Sequence, residues 1–369
     1  NYQMSKLIIQ NGNMCELDLP LKFAQKLYNE FAIRHPNAFY LRTRQRGMQN
    51  WDGKIHYITK TGQFKIGLLP KVYDMCIEMG IKPKVVDMRQ PLPKVSKVVT
   101  NIGKYKLRPE QEKAVKSVIN NRVGDTPFHI GVLDYTVNAG KTLIMSSLYL
   151  TYKKQLKTLL ITNDSDWLNQ AREEFKQYLP GEDITFVQGK VLNWSNFTIG
   201  MVQSISRNMR FYQKELSQID MVLVDEADQG GSKQYQNVIT RLFNTRIRIG
   251  LSGTIYMSKL AKDKVKNMNL ECFFGKVIAE FKLKDSIKKG YSTKTIVKMV
   301  PGKPWYGNWE SDCISYKEIY DDSITENNTA WTMAYNRLRW NINQGRYPAL
   351  VVCKHIAHCE NLYKFFKKK

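Results

Sequence analysis

Two hydrophobic periods alternate along the chain, and the position where they change sets out its organisation. Near the start, Leu7 and Ile9, then Leu17 and Leu19, recur at every second position and predict short strands, whereas Leu21, Ala24, Leu27, Tyr28 and Phe31 recur at helical spacing. Residues 1–95 therefore read as a small α+β module. Pro91-Leu92-Pro93 breaks regular structure and puts a linker near 88–102. From Leu107 onward, helical segments are separated by short apolar runs at 128–133, 158–162, 197–202, 221–224 and 247–251. Such runs suit strands buried on both faces, and strands alternating with helices imply βαβ units around a mostly parallel sheet. The predicted fold class is α/β, with a parallel-sheet domain over 103–288 behind the α+β module. Apolar runs at 295–300 and 349–353 predict strands of a further α/β unit over 289–369, unfinished at its last residue. Residue 1 is not Met, and an amphipathic helix over 359–366 enters Lys367-Lys368-Lys369 without a stop signal, so further chain is expected downstream.

Composition adds a partner class. Lys plus Arg number 57 against 33 Asp plus Glu, a net charge of +24 over 369 residues, which favours a polyanionic partner. A hydrophobic fraction of 43% excludes a disordered or collagen-like chain. No apolar run reaches the roughly 18 to 20 residues of a membrane span, and the polar opening is not a signal peptide, so no membrane partner is expected. Six unpatterned cysteines favour a reducing compartment, and the localisation expected is cytoplasmic.

In the first module, Arg34, Arg42, Arg44, Arg46, Lys54 and Lys60 surround Phe39, Tyr40, Trp51 and Tyr57, with Asp52 the sole acid between positions 34 and 60. Cations interleaved with aromatics suit a phosphate backbone and exposed bases. The competing interpretation is a solvated basic face over a small aromatic core.

The strongest chemistry lies in Asn138-Ala139-Gly140-Lys141-Thr142, between the run 128–133 and an amphipathic segment from Leu143. Strand, loop and helix in this order aim backbone N–H groups and the positive helix end at a phosphate. Lys141 adds a full charge at the β- and γ-phosphates, and the Thr142 hydroxyl suits Mg²⁺. The initial glycine of the full phosphate-loop pattern is absent, since position 135 is Tyr; Asn138 tolerates the left-handed backbone that lets the loop close. Downstream, the apolar run 221–224 ends in Asp225-Glu226-Ala227-Asp228. A buried strand would hold Asp225 at the carboxyl edge of the sheet, as a Mg²⁺ ligand through water, with Glu226 as general base. The alternative is a set of acids capping a following helix.

With Lys141 and Asp225-Glu226-Ala227-Asp228 in this order, the chain resembles superfamily 2 helicases and translocases, whose RecA-like motor domains the predicted sheet would match. That resemblance implies ATP and Mg²⁺ as cofactors. It makes Leu107-Arg108-Pro109-Glu110-Gln111 the segment in which Gln111 reads adenine, with Arg108 beside the nucleotide. It makes Asp228 and Ser252-Gly253-Thr254 the residues coupling hydrolysis to movement, and sets Thr162, Asn163, Gln203 and Ser204 against the nucleic-acid backbone. Within the superfamily, Asn50-Trp51-Asp52-Gly53-Lys54-Ile55 and Lys354-His355-Ile356-Ala357-His358 are similar to the phage UvsW branch-migration helicases. The implied partners are branched or duplex DNA with single-stranded regions, and recombination or replication proteins. The implied DNA contacts in the first module are Arg42, Arg44, Arg46, Trp51 and Lys54. The family's late motifs, with the arginine that reaches the γ-phosphate, do not occur before Lys369, so residues 1–369 are expected to bind ATP but turn it over weakly. Two other functions stay open: an RNA helicase sharing every motor residue, and a non-catalytic nucleic-acid-binding module with a structural phosphate loop.

Three further signals are read as structural. Cys353, His355, His358 and Cys359 straddle a strand end and a helix start, which disfavours zinc. Trp305, Tyr306 and Trp309 suit a loop covering a core edge, with stacking on bases as the alternative, and Trp331 and Trp340 suit a helix core.

Overall fold

Burial is continuous where the apolar runs are. The computed structural model describes residues 5–44, 47–152, 155–189, 191–255, 263–294, 315–346 and 349–369. Five strands coincide with the predicted runs: His129–Tyr135, Thr158–Thr162, Phe197–Met201, Met221–Asp225 and Ile247–Ser252. Nearly every residue in them is buried, the expected state for central strands of a sheet covered by helices on both faces. They lie in an eight-stranded sheet with the order 191–192, 184–188, 197–201, 158–162, 221–225, 247–252, 129–135 and 277–281. All neighbouring pairs are parallel except the terminal hairpin 184–188/191–192. Sequence reading did not find the other three strands: Ile184–Gln188 and Val277–Phe281 are only partly buried and lack the apolar signal of the rest, and Val191–Leu192 has two residues.

The first module is α+β, as its periodicity predicts. Its four-stranded sheet runs 63–65, 14–18, 6–9, 84–87, with 6–9 antiparallel to 14–18 and parallel to 84–87. The helix Leu21–Glu30 follows the second strand. Residues 88–100, within the expected linker, carry no strand or helix.

That linker does not mark a break in packing. The chain divides into two compact units, Asn1–Lys294 and Thr295–Lys369, so the module and the parallel-sheet domain form one unit. Three contacts explain this. The Arg248 guanidinium, from the central strand, donates to Gly12 O at 2.6 Å and Asn13 Oδ1 at 2.7 Å. Tyr57 Oη donates to Asn269 Oδ1 at 2.9 Å. Gly67 lies so close to helix Lys264–Phe274 that a Cβ there would stand 2.1 Å from Glu271 O, so only glycine fits.

Among its described residues the second unit is helical: Tyr316–Tyr320, a π-helical turn Asp321–Thr325, Asn328–Asn343 and Ile356–Lys368. Residues 349–353 form no strand, contrary to expectation, and Leu350 and Val352 lie at the surface. A parallel strand needs hydrogen-bonding neighbours, and none flanks this run among the described residues. The expected strand 295–300 and the aromatics Trp305, Tyr306 and Trp309 lie outside the described residues. Trp331 and Trp340 are not core. Trp331 meets Phe365 edge-on at 5.6 Å, and Trp340, 40% exposed, carries Arg337 over its ring at 4.3 Å.

Candidate nucleotide site

The site is built where two central strands end. Strand His129–Tyr135, buried throughout, delivers the chain into the loop 136–140, and helix Lys141–Thr151 begins directly after it. Closing so tight a loop requires positive φ. Gly140 takes φ 72° and ψ 48°, and Asn138 takes φ 65°, the role the sequence gives it in place of a glycine. Gly140 O then accepts from Leu143 N at 3.1 Å, which starts the helix.

Two strand positions away in the sheet, Met221–Asp225 packs four apolar side chains into the core and brings Asp225 to the carboxyl edge. Asp225 is 2% exposed. Lys141 Nζ lies 3.5 Å from Asp225 Oδ1 and 3.5 Å from Glu226 Oε1. The three groups named from sequence as catalytic, far apart in the chain, thus meet at one edge. Glu226 adopts φ 50°, a left-handed conformation disfavoured for glutamate by about 1–3 kcal/mol, of the kind that concentrates at functional sites. Burial raises the pKa of both carboxyls above the ordinary range, although the nearby Lys141 ammonium pulls the other way.

The donor set fits a magnesium nucleotide. Apart from the Lys141 ammonium at 3.5 Å, Asp225 Oδ1 is buried without a donor, and the Thr142 hydroxyl sits on the first turn of the helix behind the loop. Hydroxyl and carboxylate oxygens are the ligands Mg²⁺ takes.

Arg108 and Gln111 also reach this loop, but as its supports. Gln111, 1% exposed, accepts from Arg108 N at 2.9 Å through Oε1 and donates to Ala139 O at 2.8 Å through Nε2. The Arg108 guanidinium donates to Ala139 O at 2.7 Å and Asn138 O at 3.2 Å. Both polar atoms of the glutamine expected to read adenine are engaged within the protein.

The coupling residues lie together. Register pairs Asp225 with Leu251, so Ser252 ends the neighbouring strand, and its hydroxyl donates to Asp228 Oδ1 at 3.0 Å. Thr254 N in turn donates to Ser252 Oγ at 3.2 Å.

Of the residues assigned to the nucleic-acid backbone, two are committed elsewhere. Thr162 is buried and accepts from Asp164 N at 3.2 Å; Ser204 is buried and accepts from Gly189 N at 3.0 Å. Their hydroxyls hold loop geometry at the strand ends and do not reach the surface. Asn163 and Gln203 are half-buried and joined to each other, Gln203 Nε2 donating to Asn163 O at 3.2 Å.

In the first module, Arg42 and Arg44 lie exposed on helix Ala38–Arg44, with Phe39 at 79% exposure beside them and Arg44 over the Tyr40 ring at 4.9 Å. Trp51 is structural as well as basic-flanked: its Nε1 donates to Lys54 O at 2.9 Å and its ring meets His35 edge-on. Asp52 Oδ1 accepts from Lys54 N, and Asp52 pairs with His56 at 2.6 Å, so the Trp-Asp-Gly-Lys stretch is a tight turn that presents Lys54 to solvent. Arg46 lies outside the described residues. No group of histidines, cysteines and acids that could hold a metal ion, the 353–359 cluster included, occurs among the described residues.

Fold and site together give a RecA-like parallel-sheet domain with a phosphate loop and an acidic strand end, and the chain resembles the superfamily 2 helicases. Residues 104–257 match the family "Type III restriction enzyme, res subunit". The ATP-dependent DNA helicase UvsW of Enterobacteria phage T4 is 22% identical over 228 residues, 56% of this chain and 43% of the T4 protein, so the match spans less than half of that relative. A crystal structure of the UvsW helicase from bacteriophage T4 superposes with TM-score 0.59 at 21% identity, over 75% of this chain and 99% of that one. A second T4 UvsW structure gives TM-score 0.58 at 19% identity, over 99% and 73%. At such identities the structural likeness establishes the fold.

Proposed function

We propose that this chain is the nucleotide-binding part of an ATP- and Mg²⁺-dependent DNA helicase or translocase of superfamily 2 that remodels branched DNA. The observation that carries the reading is the Lys141 ammonium at 3.5 Å from both Asp225 and Glu226. Loop amides and Lys141 would grip the phosphates. Thr142 and Asp225 would hold magnesium, which when bound neutralises phosphate charge. Glu226, half-exposed while Asp225 is buried, is the carboxylate a water molecule can reach and would take its proton as general base. The Asp228–Ser252 bond links that strand end to the next, as a route from hydrolysis to movement.

DNA is the proposed partner because of the net charge of +24 and the exposed Arg42, Arg44, Phe39 and Tyr40 on one short helix. Neutralising about six phosphates gives a slope of log K against log[salt] near −5; a titration of fluorescent duplex between 50 and 200 mM salt measures it, and a slope close to zero removes the electrostatic contact. For the branched-DNA part, ATP turnover is compared with a four-way junction, a fork, linear duplex and RNA. Junction DNA is expected to stimulate most. Equal stimulation by linear duplex ends the branch-specific reading, and stimulation by RNA alone ends the DNA reading.

A further inference from the structure

The amino edge of the parallel sheet, opposite the phosphate loop, holds a second cavity. It measures about 570 Å³ and lies between the linker residues 87–95 and the starts of strands His129–Tyr135 and Ile247–Ser252, all within the first compact unit. From His129 to Tyr135 the strand runs about 20 Å, so the two places are separate. Four cations line the cavity: Arg89, Lys94, Arg122 and Arg246. Two of them are neutralised. The Arg89 guanidinium, its side chain 5% exposed, forks onto Asp87 at 2.9 and 2.7 Å, and Arg246 pairs with Asp220 at 2.6 Å. Arg122 and Lys94 have no carboxylate partner among the described residues, so the lining carries two uncompensated positive charges. Two buried side chains, His129 and Tyr152, also line it. His129 Nδ1 meets Val118 O at 2.8 Å, and because a carbonyl only accepts, Nδ1 carries the hydrogen and Nε2 keeps its lone pair. Burial lowers the imidazole pKa against the pull of the Val118 bond, and Arg89 and Arg122 add to the lowering, so the ring is neutral at pH 7. Neither Nε2 nor the Tyr152 hydroxyl has a hydrogen-bond partner among the described residues. Leu92, Ile119 and Pro127 make the walls between them apolar.

We propose that this cavity binds a nucleoside 5′-monophosphate, either free or as the phosphorylated end of a DNA strand. A phosphate monoester is a dianion near neutral pH and matches the two uncompensated cations, through charge-assisted hydrogen bonds. The apolar walls take the base, while Nε2 of His129 and the Tyr152 hydroxyl meet polar groups of the sugar or base. Size supports an organic ligand, because small-molecule sites span about 300–1,000 Å³ and an inorganic anion would leave most of this volume to water. The site stands independently of the nucleotide reading of loop 138–142, and its strand-end source alone rests on the DNA reading.

Isothermal titration calorimetry on the 369-residue chain tests this with thymidine 5′-monophosphate as the probe. One probe molecule is expected to bind per chain, and thymidine and inorganic phosphate should each bind about 10- to 100-fold more weakly. Arg122→Ala should weaken the probe by about tenfold, since it removes one of the two uncompensated charges. Tyr152→Phe keeps the buried ring and removes the hydroxyl alone, so the fold is preserved and the probe should weaken by about fivefold. Lys141→Ala, at the opposite edge of the sheet, should leave probe affinity unchanged. Two thymidine trinucleotides identify the source. Binding by the 5′-phosphorylated one but not by its 5′-hydroxyl counterpart assigns the site to a strand end, and binding by the mononucleotide alone assigns it to a free nucleotide. Absence of probe binding overturns the proposal, as does an affinity that Arg122→Ala and Tyr152→Phe leave unaltered. Loss of the probe in Lys141→Ala would place it in the phosphate loop instead, and phosphate binding as tightly as the probe would mean a simple anion site; either result overturns the assignment.

Discussion

Replacing Lys141 with alanine is expected to weaken ATP binding by about 10- to 100-fold and to lower DNA-stimulated turnover by a further ~10²–10³-fold. The first figure follows from a charge-assisted contact to phosphate, each worth about 1.5–3 kcal/mol. The second follows from removing a fixed positive group from the developing transition-state charge. Lys141 is also the only cation within 4 Å of Asp225 among the described residues. Without it, the influence that lowers the Asp225 pKa is lost and burial raises it further. Glu226→Gln separates binding from chemistry. It keeps the loop and Lys141 in place, so nucleotide affinity should stay within a few-fold while turnover falls as far as in Lys141→Ala. Equal loss of affinity in both variants would mean that Glu226 shapes the pocket and is not the base. Retention of turnover in Lys141→Ala would remove the phosphate-loop account altogether.

What could be read from the sequence follows from where the signals are local. The runs at 128–133, 158–162, 197–202, 221–224 and 247–251 are legible because a strand buried on both faces is mostly apolar at successive positions and not at alternate ones. The loop 138–142 and the acids after 224 are legible because phosphate chemistry demands those residue types next to a strand end. Thr162 and Ser204 illustrate the limit. Their positions suit a nucleic-acid contact, but whether a hydroxyl faces solvent or accepts from a neighbouring backbone N–H depends on loops that no periodicity encodes. Gln111 shows the same limit, since the resemblance supplies a role while the hydrogen-bond partners come only with the fold. The joining of the module to the sheet domain was hidden for a related reason. It depends on contacts between residues more than two hundred positions apart, such as Tyr57 with Asn269. One signal was present and unused: an arginine inside the apolar run 247–251 must find acceptors when buried.

That arginine carries the second large effect, on stability. Arg248 is 0% exposed, and no carboxylate pairs with it among the described residues; its acceptors are Gly12 O, Asn13 Oδ1 and Phe273 O at 3.2 Å. Burial pushes the guanidinium pKa down to about 9, so it still carries its charge at neutral pH, and neutral oxygens alone offset the lost hydration. Arg248→Ala leaves these acceptors without a donor and opens a cavity in the central strand, and should lower stability by about 2–4 kcal/mol. Arg248→Met fills the volume without burying a charge and should lose about 1–2 kcal/mol. Urea unfolding distinguishes the two contributions. Because the guanidinium spans the turn Gly12-Asn13 and the sheet, the alanine variant is also expected to unfold in two steps, the first module before the parallel-sheet domain. A single transition with the midpoint of the unaltered chain would mean that Tyr57, Gly67 and the apolar contacts suffice to hold the module. In that case the buried charge is a stability penalty the fold tolerates, and the methionine variant would be the more stable protein.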